Sequence, residues 1–252
     1  MKTVSIGAVS LHAIAGDEVL SALDALVDDD AHHFVAFCDA HVFVRANREP
    51  GVRAILARAS LLLPDGVSVT AGARLLGKRF DARVTGPETM LRYLSHGVTL
   101  DRRHFFYGGA AGVAERLAER LSHQIPGLWV VGTYTPPFRP LTQEEDDEVK
   151  ALIEESRADV VWVGLGAPKQ EQWMLEHLGK IKVPLMMGVG AAFDFHSGAR
   201  KWAPAWMRRA GLEWVFRTAT GGQRVTIRNV RYVSAFVALI LQLSLAQRFG
   251  RG

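Results

Sequence analysis

Cysteine is almost absent: Cys38 stands alone in 252 residues, so no disulfide forms within the chain, and a reducing compartment is the expectation. Signatures that declare a chemistry by their spacing are missing too. There is no Walker lysine loop, no Cys or His pairing at zinc spacing, no Gly-x-Ser-x-Gly elbow and no evident Asp-x-Asp metal motif. Nothing in the sequence calls for a metal or a cofactor. No internal repeat, low-complexity stretch or long linker interrupts the chain, which sets aside solenoids and disordered arrays. Long apolar runs are also lacking. Tyr232 to Gln247 would extend only about 24 Å as a helix at ~1.5 Å per residue, short of the ~30 Å hydrocarbon core. An interfacial or self-associating helix is the favoured reading of that run; a packed terminal helix and a membrane span are the others.

What is present is ordinary for a globular protein, with 48% hydrophobic and 22% charged residues, and the length suits one large α/β domain or one domain with an appendage. Lys2, the apolar run Thr3 to Leu11 and Ala13-Ile14-Ala15 imitate a signal peptide. His12 breaks that run, and Val19, Leu20, Leu23, Leu26 and Val27 then share a helical face, so a first strand followed by a helix over Asp17 to Val27 is expected.

Charge is unevenly placed. From Arg200 onward ten bases face one acid, Glu213, a net +9 that leaves −5 for residues 1–199 of the total +4. Nucleic acid, anionic lipid and substrate phosphates are all open as partners for such a tail. Its interleaved Trp202, Trp206, Trp214, Phe216 and Tyr232 favour a headgroup interface over nucleic acid, for which no recognition module is visible. A boundary is expected near Gly198 to Pro204, giving a body of residues 1–199 and a basic helical C-terminal appendage of residues 200–252.

Elsewhere apolar runs alternate with helical segments, the pattern of a largely parallel sheet flanked by helices. Strands are predicted at Phe34 to Cys38, Leu61 to Leu63, His104 to Tyr107, Leu128 to Val131, Val160 to Val163 and Leu185 to Val189. Helices are predicted at Ala40 to Ala59, Val67 to Leu76, Pro87 to His96, Val113 to Ser122, Thr142 to Ser156 and Pro168 to Leu178. Two strands run into glycine turns, Tyr107-Gly108-Gly109 and Val163-Gly164-Leu165-Gly166, and each leads to a helix. Such turns bring backbone N–H groups close to an anion, and Lys169 adds a charge beside the second. Any doubly wound fold needs turns of this kind; two on one sheet suggest a nucleotide across its carboxyl edge. Pro64-Asp65-Gly66 ends another apolar strand. It is a turn signal and also a site where α/β enzymes place a catalytic carboxylate.

Six segments in order, Leu-Leu-Pro-Asp-Gly (62–66), Arg-Val-Thr-Gly (83–86), Tyr-Gly-Gly-Ala-Ala-Gly-Val-Ala-Glu (107–115), Val-Gly-Leu-Gly-Ala-Pro-Lys-Gln-Glu (163–171), Gly-Val-Gly-Ala-Ala-Phe-Asp-Phe (188–195) and Ala-Pro-Ala-Trp-Met-Arg-Arg-Ala-Gly-Leu-Glu-Trp (203–214), give the chain its resemblance. It resembles the WecG/TagA/CpsF glycosyltransferases (glycosyltransferase family 26) of bacterial surface polysaccharide synthesis. The resemblance implies a Rossmann-like fold and inverting transfer of a hexose or N-acetylhexosamine, N-acetylmannosamine in many members, from a UDP-sugar to a polyprenyl-diphosphate-linked glycan without an essential metal. It also implies a basic appendage that docks on the membrane. A cytoplasmic protein peripherally associated with the inner face of the cell membrane follows, with a homo-oligomer as the alternative use of the apolar helix.

On that basis Asp65 is the expected general base. The expected substrate-binding set is Asp39, Thr85, Gly86, Gly108, Gly109, Gly164, Gly166, Lys169, Gln170, Asp194, Arg208, Arg209 and Arg217, the glycine turns and arginines receiving the departing UDP. The chain departs from the family where many members read Thr-Leu-Asn-Ala-Glu: it has Phe37-Cys38-Asp39-Ala40-His41, and Ala191 replaces a glycine. A catalytically impaired nucleotide-sugar-binding protein of the same fold is therefore the alternative function.

Overall fold

The computed structural model describes residues 1–249 except Ala15, Asp17, Ala82 and Gly221, with the backbone alone at residues 217, 222–225, 228, 229, 248 and 249. The chain opens with β1 (Thr3–Ile6) and β2 (Val9–His12), an antiparallel hairpin, followed by α1 (Glu18–Val27). One strand was expected where two stand. The turn falls at Gly7, whose φ of +57° reverses the chain, while Ala8 N–H donates to Asn47 Oδ1.

The main sheet follows as β3 (His33–Cys38), α2 (Ala40–Arg48), α3 (Pro50–Leu56), β4 (Leu61–Pro64), α4 (Gly66–Leu75), α5 (Gly86–Gly97), β5 (Arg103–Gly108), α6 (Val113–Gln124), β6 (Trp129–Tyr134), α7 (Gln143–Glu155), β7 (Val160–Gly164), α8 (Lys169–His177) and β8 (Leu185–Gly188). All six predicted strands are present. The helix expected over Ala40 to Ala59 is instead α2 and α3, because Pro50 forces Glu49 to extended backbone and starts a new helix. Thr142 caps α7 in a full capping box with Glu145, as its sequence predicts.

The six strands are parallel, in the order β4-β3-β8-β7-β5-β6. Both faces are covered, so alternate residues of one strand enter different cores. Phe34, Phe105, Val161 and Met186 pack with α2, α3, α7 and α8 on one face, and Val35, Phe106, Trp162 and Met187 with α1, α5 and α6 on the other. The chain leaves β5 towards one edge, to β6, and β7 towards the other, to β8. The order thus reverses between β7 and β5, the place where doubly wound sheets open a ligand crevice. These features define an α/β, Rossmann-like fold.

The chain closes with α9 (Ala192–His196), α10 (Ala205–Arg209), α11 (Glu213–Thr220) and α12 (Gly222–Phe249). Phe236, Leu239 and Ile240 of α12 are buried against the body, where Gly72 of α4 makes room: a Cβ there would lie 2.9 Å from Phe236 Cζ. Ile227, Val230, Val237, Leu241 and Leu245 face outward and are exposed. The stretch Val230–Gln247 is long and apolar enough to cross a membrane by length and composition, with a mean hydropathy of 1.5, yet one of its faces packs on protein.

Candidate active site

A cleft of about 1610 Å³ runs along the carboxyl edge of the sheet. At its centre the two glycine turns meet on neighbouring strands: Gly108 pairs with Gly164, and Gly109 N–H donates to Gly164 O at 3.1 Å. Glycine is required here by contact as well as by φ. A Cβ at Gly108, where φ is +123°, would lie 2.7 Å from Gly164 C, and one at Gly164 would lie 2.6 Å from the Phe193 ring. Gly166 differs, since its φ of +78° turns the chain beneath open space. Thr135 Oγ1 donates to Gly108 O and ties the Pro136–Thr142 loop to the same wall, with Phe138 96% exposed.

Two strands away the cleft is acidic. Cys38 and Pro64 are register partners and Asp65 N–H donates to Cys38 O at 2.9 Å, which places Asp39 and Asp65 on adjacent strand ends. Both carboxylates are half-buried and line the cleft. Asp39 Oδ1 accepts from Val42 N–H and caps α2. Asp65 stands at the N-cap of α4 without using its side chain as a cap. Phe37 forms part of the floor, with its ring against Gly86.

The remaining predicted residues divide. Thr85, Gly109, Gly164, Gly166, Lys169, Gln170, Asp194 and Arg208 line the cleft. Gly86 and Gly108 are buried and lie behind its lining, where they pack the floor and the strand ends. Thr85 Oγ1 is engaged as the cap of α5, accepting from Glu88 N–H. Asp194 pairs with Arg200 at 3.3 Å. Arg209 is exposed and outside the lining, because α10 turns it away from Arg208, its neighbour in sequence. The side chain of Arg217 lies outside the described residues. The run Asp28-Asp29-Asp30, which fits Asp-x-Asp by spacing, is exposed before the amino end of β3, away from the cleft.

Several contacts escaped the sequence reading. Arg208 stacks over the Trp202 ring at 3.6 Å and pairs with Glu88 at 2.6 Å, and Arg83 donates to Arg208 O at 2.6 Å. That cluster fastens α10 to the start of α5 beside the cleft. His177, which stacks on Trp173, is held by Asp146 at 2.9 Å. Under the floor Glu171 is 1% exposed, and burial pushes its carboxyl up to about 7, against the lowering hydrogen bonds from Gln170 and from its own backbone N–H, with Asp39 reinforcing the rise. Burial also raises the Cys38 thiol and lowers the His196 imidazole, whose Nε2–H donates to Pro87 O. Among the described residues no three His, Cys, Asp or Glu side chains gather as metal ligands.

Fold and cleft together define a doubly wound α/β protein with a pair of glycine turns and a pair of carboxylates on one edge. The description Glycosyl transferase WecG/TagA/CpsF family matches residues 4–250, and the chain belongs to that family. It is similar to an N-acetylglucosaminyldiphosphoundecaprenol N-acetyl-beta-D-mannosaminyltransferase of Bacillus spizizenii, 29% identical over 86% of this chain and 81% of that protein. A protein of the same description from Bacillus subtilis is 29% identical over 65% of this chain and 62% of its own length. Another, from Staphylococcus aureus, is 26% identical over 76% of this chain and 74% of its own.

Proposed function

We propose that the chain is an inverting transferase that moves a hexose or N-acetylhexosamine, N-acetylmannosamine or glucose first among them, from a UDP-sugar to a polyprenyl-diphosphate-linked glycan. The observation that carries this is the meeting of Gly108 and Gly164 at the point where the strand order reverses, in one cleft with Asp65. The relatives' names supply the acceptor class and the preference for N-acetylmannosamine.

The diphosphate sits over the glycine turns, where the backbone N–H groups at the starts of α6 and α8 and the Lys169 ammonium meet its charge. Asp65 takes the proton of the acceptor hydroxyl as that oxygen attacks the anomeric carbon from the face opposite the departing UDP. The new charge on UDP is received by N–H dipoles already fixed by the strands, at no cost of reorganisation. Arg208 is committed to Glu88 and Trp202, so it holds the appendage against the cleft and contributes positive potential from there. Outside the cleft, exposed Trp206, Leu212 and Arg209 support peripheral contact with an anionic membrane surface.

The test is UDP release by the full-length protein, with EDTA present, from UDP-N-acetylmannosamine, UDP-glucose, UDP-N-acetylglucosamine and UDP-glucuronate, with and without a lipid-diphosphate-linked sugar. Acceptor-dependent release from one donor is expected. Binding of UDP without release from any donor would favour the second reading, a nucleotide-sugar-binding protein without turnover, for which the apolar Phe37 in the floor is the structural motive.

A further inference from the structure

Glu171 is the one acidic side chain among the described residues that is fully buried, and it lies beneath the cleft, outside its lining. Its Oε1 accepts from Gln170 Nε2–H at 2.8 Å, and Gln170 Oε1 accepts from Gly166 N–H at 3.2 Å. The end of β8 and the turn after it leave space for that carboxamide: a Cβ at Gly188 would lie 3.0 Å from Gln170 Nε2, and one at Gly190 3.3 Å from its Oε1. A chain of hydrogen bonds thus runs from the core through Gln170 to the second glycine turn. The other carboxyl oxygen, Oε2, is buried with no hydrogen-bond partner among the described residues. An ionised carboxylate in that position carries charge on an unsolvated atom, and protonation relieves it. The end of β3 supplies the neighbours that sense this group: the Cys38 thiol feels Glu171, Asp39 and Asp65, and Asp39 acts on Glu171 itself.

We propose that Glu171 is a positioning residue for the donor diphosphate: neutral, it holds Gln170 and the Gly164–Gly166 turn in the shape that receives the anion, and ionised, it sets a negative charge under that turn. The proposal rests on the reading that this turn holds a UDP-sugar.

The experiment is calorimetric titration of the full-length protein with UDP-N-acetylmannosamine from about pH 6 to about pH 8.5. As a diphosphodiester this probe keeps its own charge over that range, unlike UDP. Wild type should lose affinity on the order of three- to tenfold as pH rises, with a midpoint close to where Glu171 ionises. Glu171→Gln stays neutral and keeps an acceptor for Gln170, so the step seen in wild type should be missing from its profile, while His41 and His177, which line the cleft, are common to both proteins. A residue that only packed the core would change stability and leave no such midpoint. The same profile in both proteins, or none in wild type, overturns the proposal. Should Glu171→Gln fail to fold, Asp39→Asn replaces it: loss of that neighbouring charge should move the midpoint to lower pH, and an unmoved midpoint overturns the proposal. Binding by neither protein at any pH removes the UDP-sugar reading and the proposal with it, whereas binding with matching profiles removes Glu171 alone.

Discussion

Asp65 terminates a strand that is buried along its whole length, so its carboxylate is held at the cleft by a rigid support and not by a loop. Only an acid so placed serves as a base without first being ordered. Asp65→Asn is therefore expected to keep donor affinity within about threefold and to lower transfer by roughly a hundredfold or more, measured as calorimetric binding and as UDP release. Undiminished turnover would end the base assignment. Glu171 makes a separate prediction about stability. Its ordinary value is 4.5 and the folded value is about 7, so the native state holds this proton more tightly than the unfolded chain. Stability is then lost as pH rises from the unfolded value through the folded one, and the full cost, on the order of 3 kcal/mol, stands above about pH 7. Glu171→Gln carries no such cost. Denaturant unfolding should show it gaining on wild type between about pH 5 and about pH 8, and a constant difference would refute the burial argument. Nothing in Lys169-Gln170-Glu171-Gln172 announces this role: four polar residues at the start of a helix read as a solvated turn. Only the wedging of α8 against β3, β7 and β8 buries the third of them. The positions of Asp65 and the glycines at the strand ends were legible because their signals are local, a turn sequence at the end of an apolar run.

Strands and helices followed from pattern wherever one physical rule dominated. Parallel strands covered on both faces must be apolar throughout, so their positions were plain in the sequence. The break between α2 and α3 and the hairpin at Gly7 depend instead on single residues inside otherwise continuous patterns. Helix α12 lay furthest from reach, since one apolar stretch serves lipid, subunit or core equally well. The structure gives Phe236, Leu239 and Ile240 to the body and leaves Val237, Leu241 and Leu245 outside. Its seat depends on Gly72, because any side chain there enters the space held by Phe236 and Ile240. Gly72→Leu should lift α12 and expose it to early proteolytic cutting, at a cost of about 1–3 kcal/mol from overpacking. An unchanged cleavage pattern would mean that α12 repacks without leaving α4.

At the scale of the molecule, charge and exposed surface point the same way. A mildly acidic body carries a tail of net +9, and the tail exposes Trp206, Leu212 and Val215 together with Arg209 and, at the rim of the cleft, Arg231. The cluster of Arg208, Trp202, Glu88 and Arg83 fixes the start of that tail beside the cleft, so whatever surface the tail meets also meets the mouth of the site. None of those contacts was readable beforehand, because Glu88 and Arg208 are 120 residues apart and meet only once the sheet is built. An acceptor carried on a lipid would reach Asp65 from such a surface without leaving the membrane. Vesicles containing anionic lipid should therefore float the full-length protein, and neutral ones should not. Arg209→Glu combined with Arg231→Glu reverses two exposed cations outside the hydrogen-bonded cluster, and should cost roughly 1 kcal/mol per cation removed, with the opposite charge adding to it. Added salt should mimic that loss by screening. Equal flotation of both proteins at every salt concentration would show that the apolar residues alone hold the protein to the bilayer, and that the charge asymmetry orients nothing.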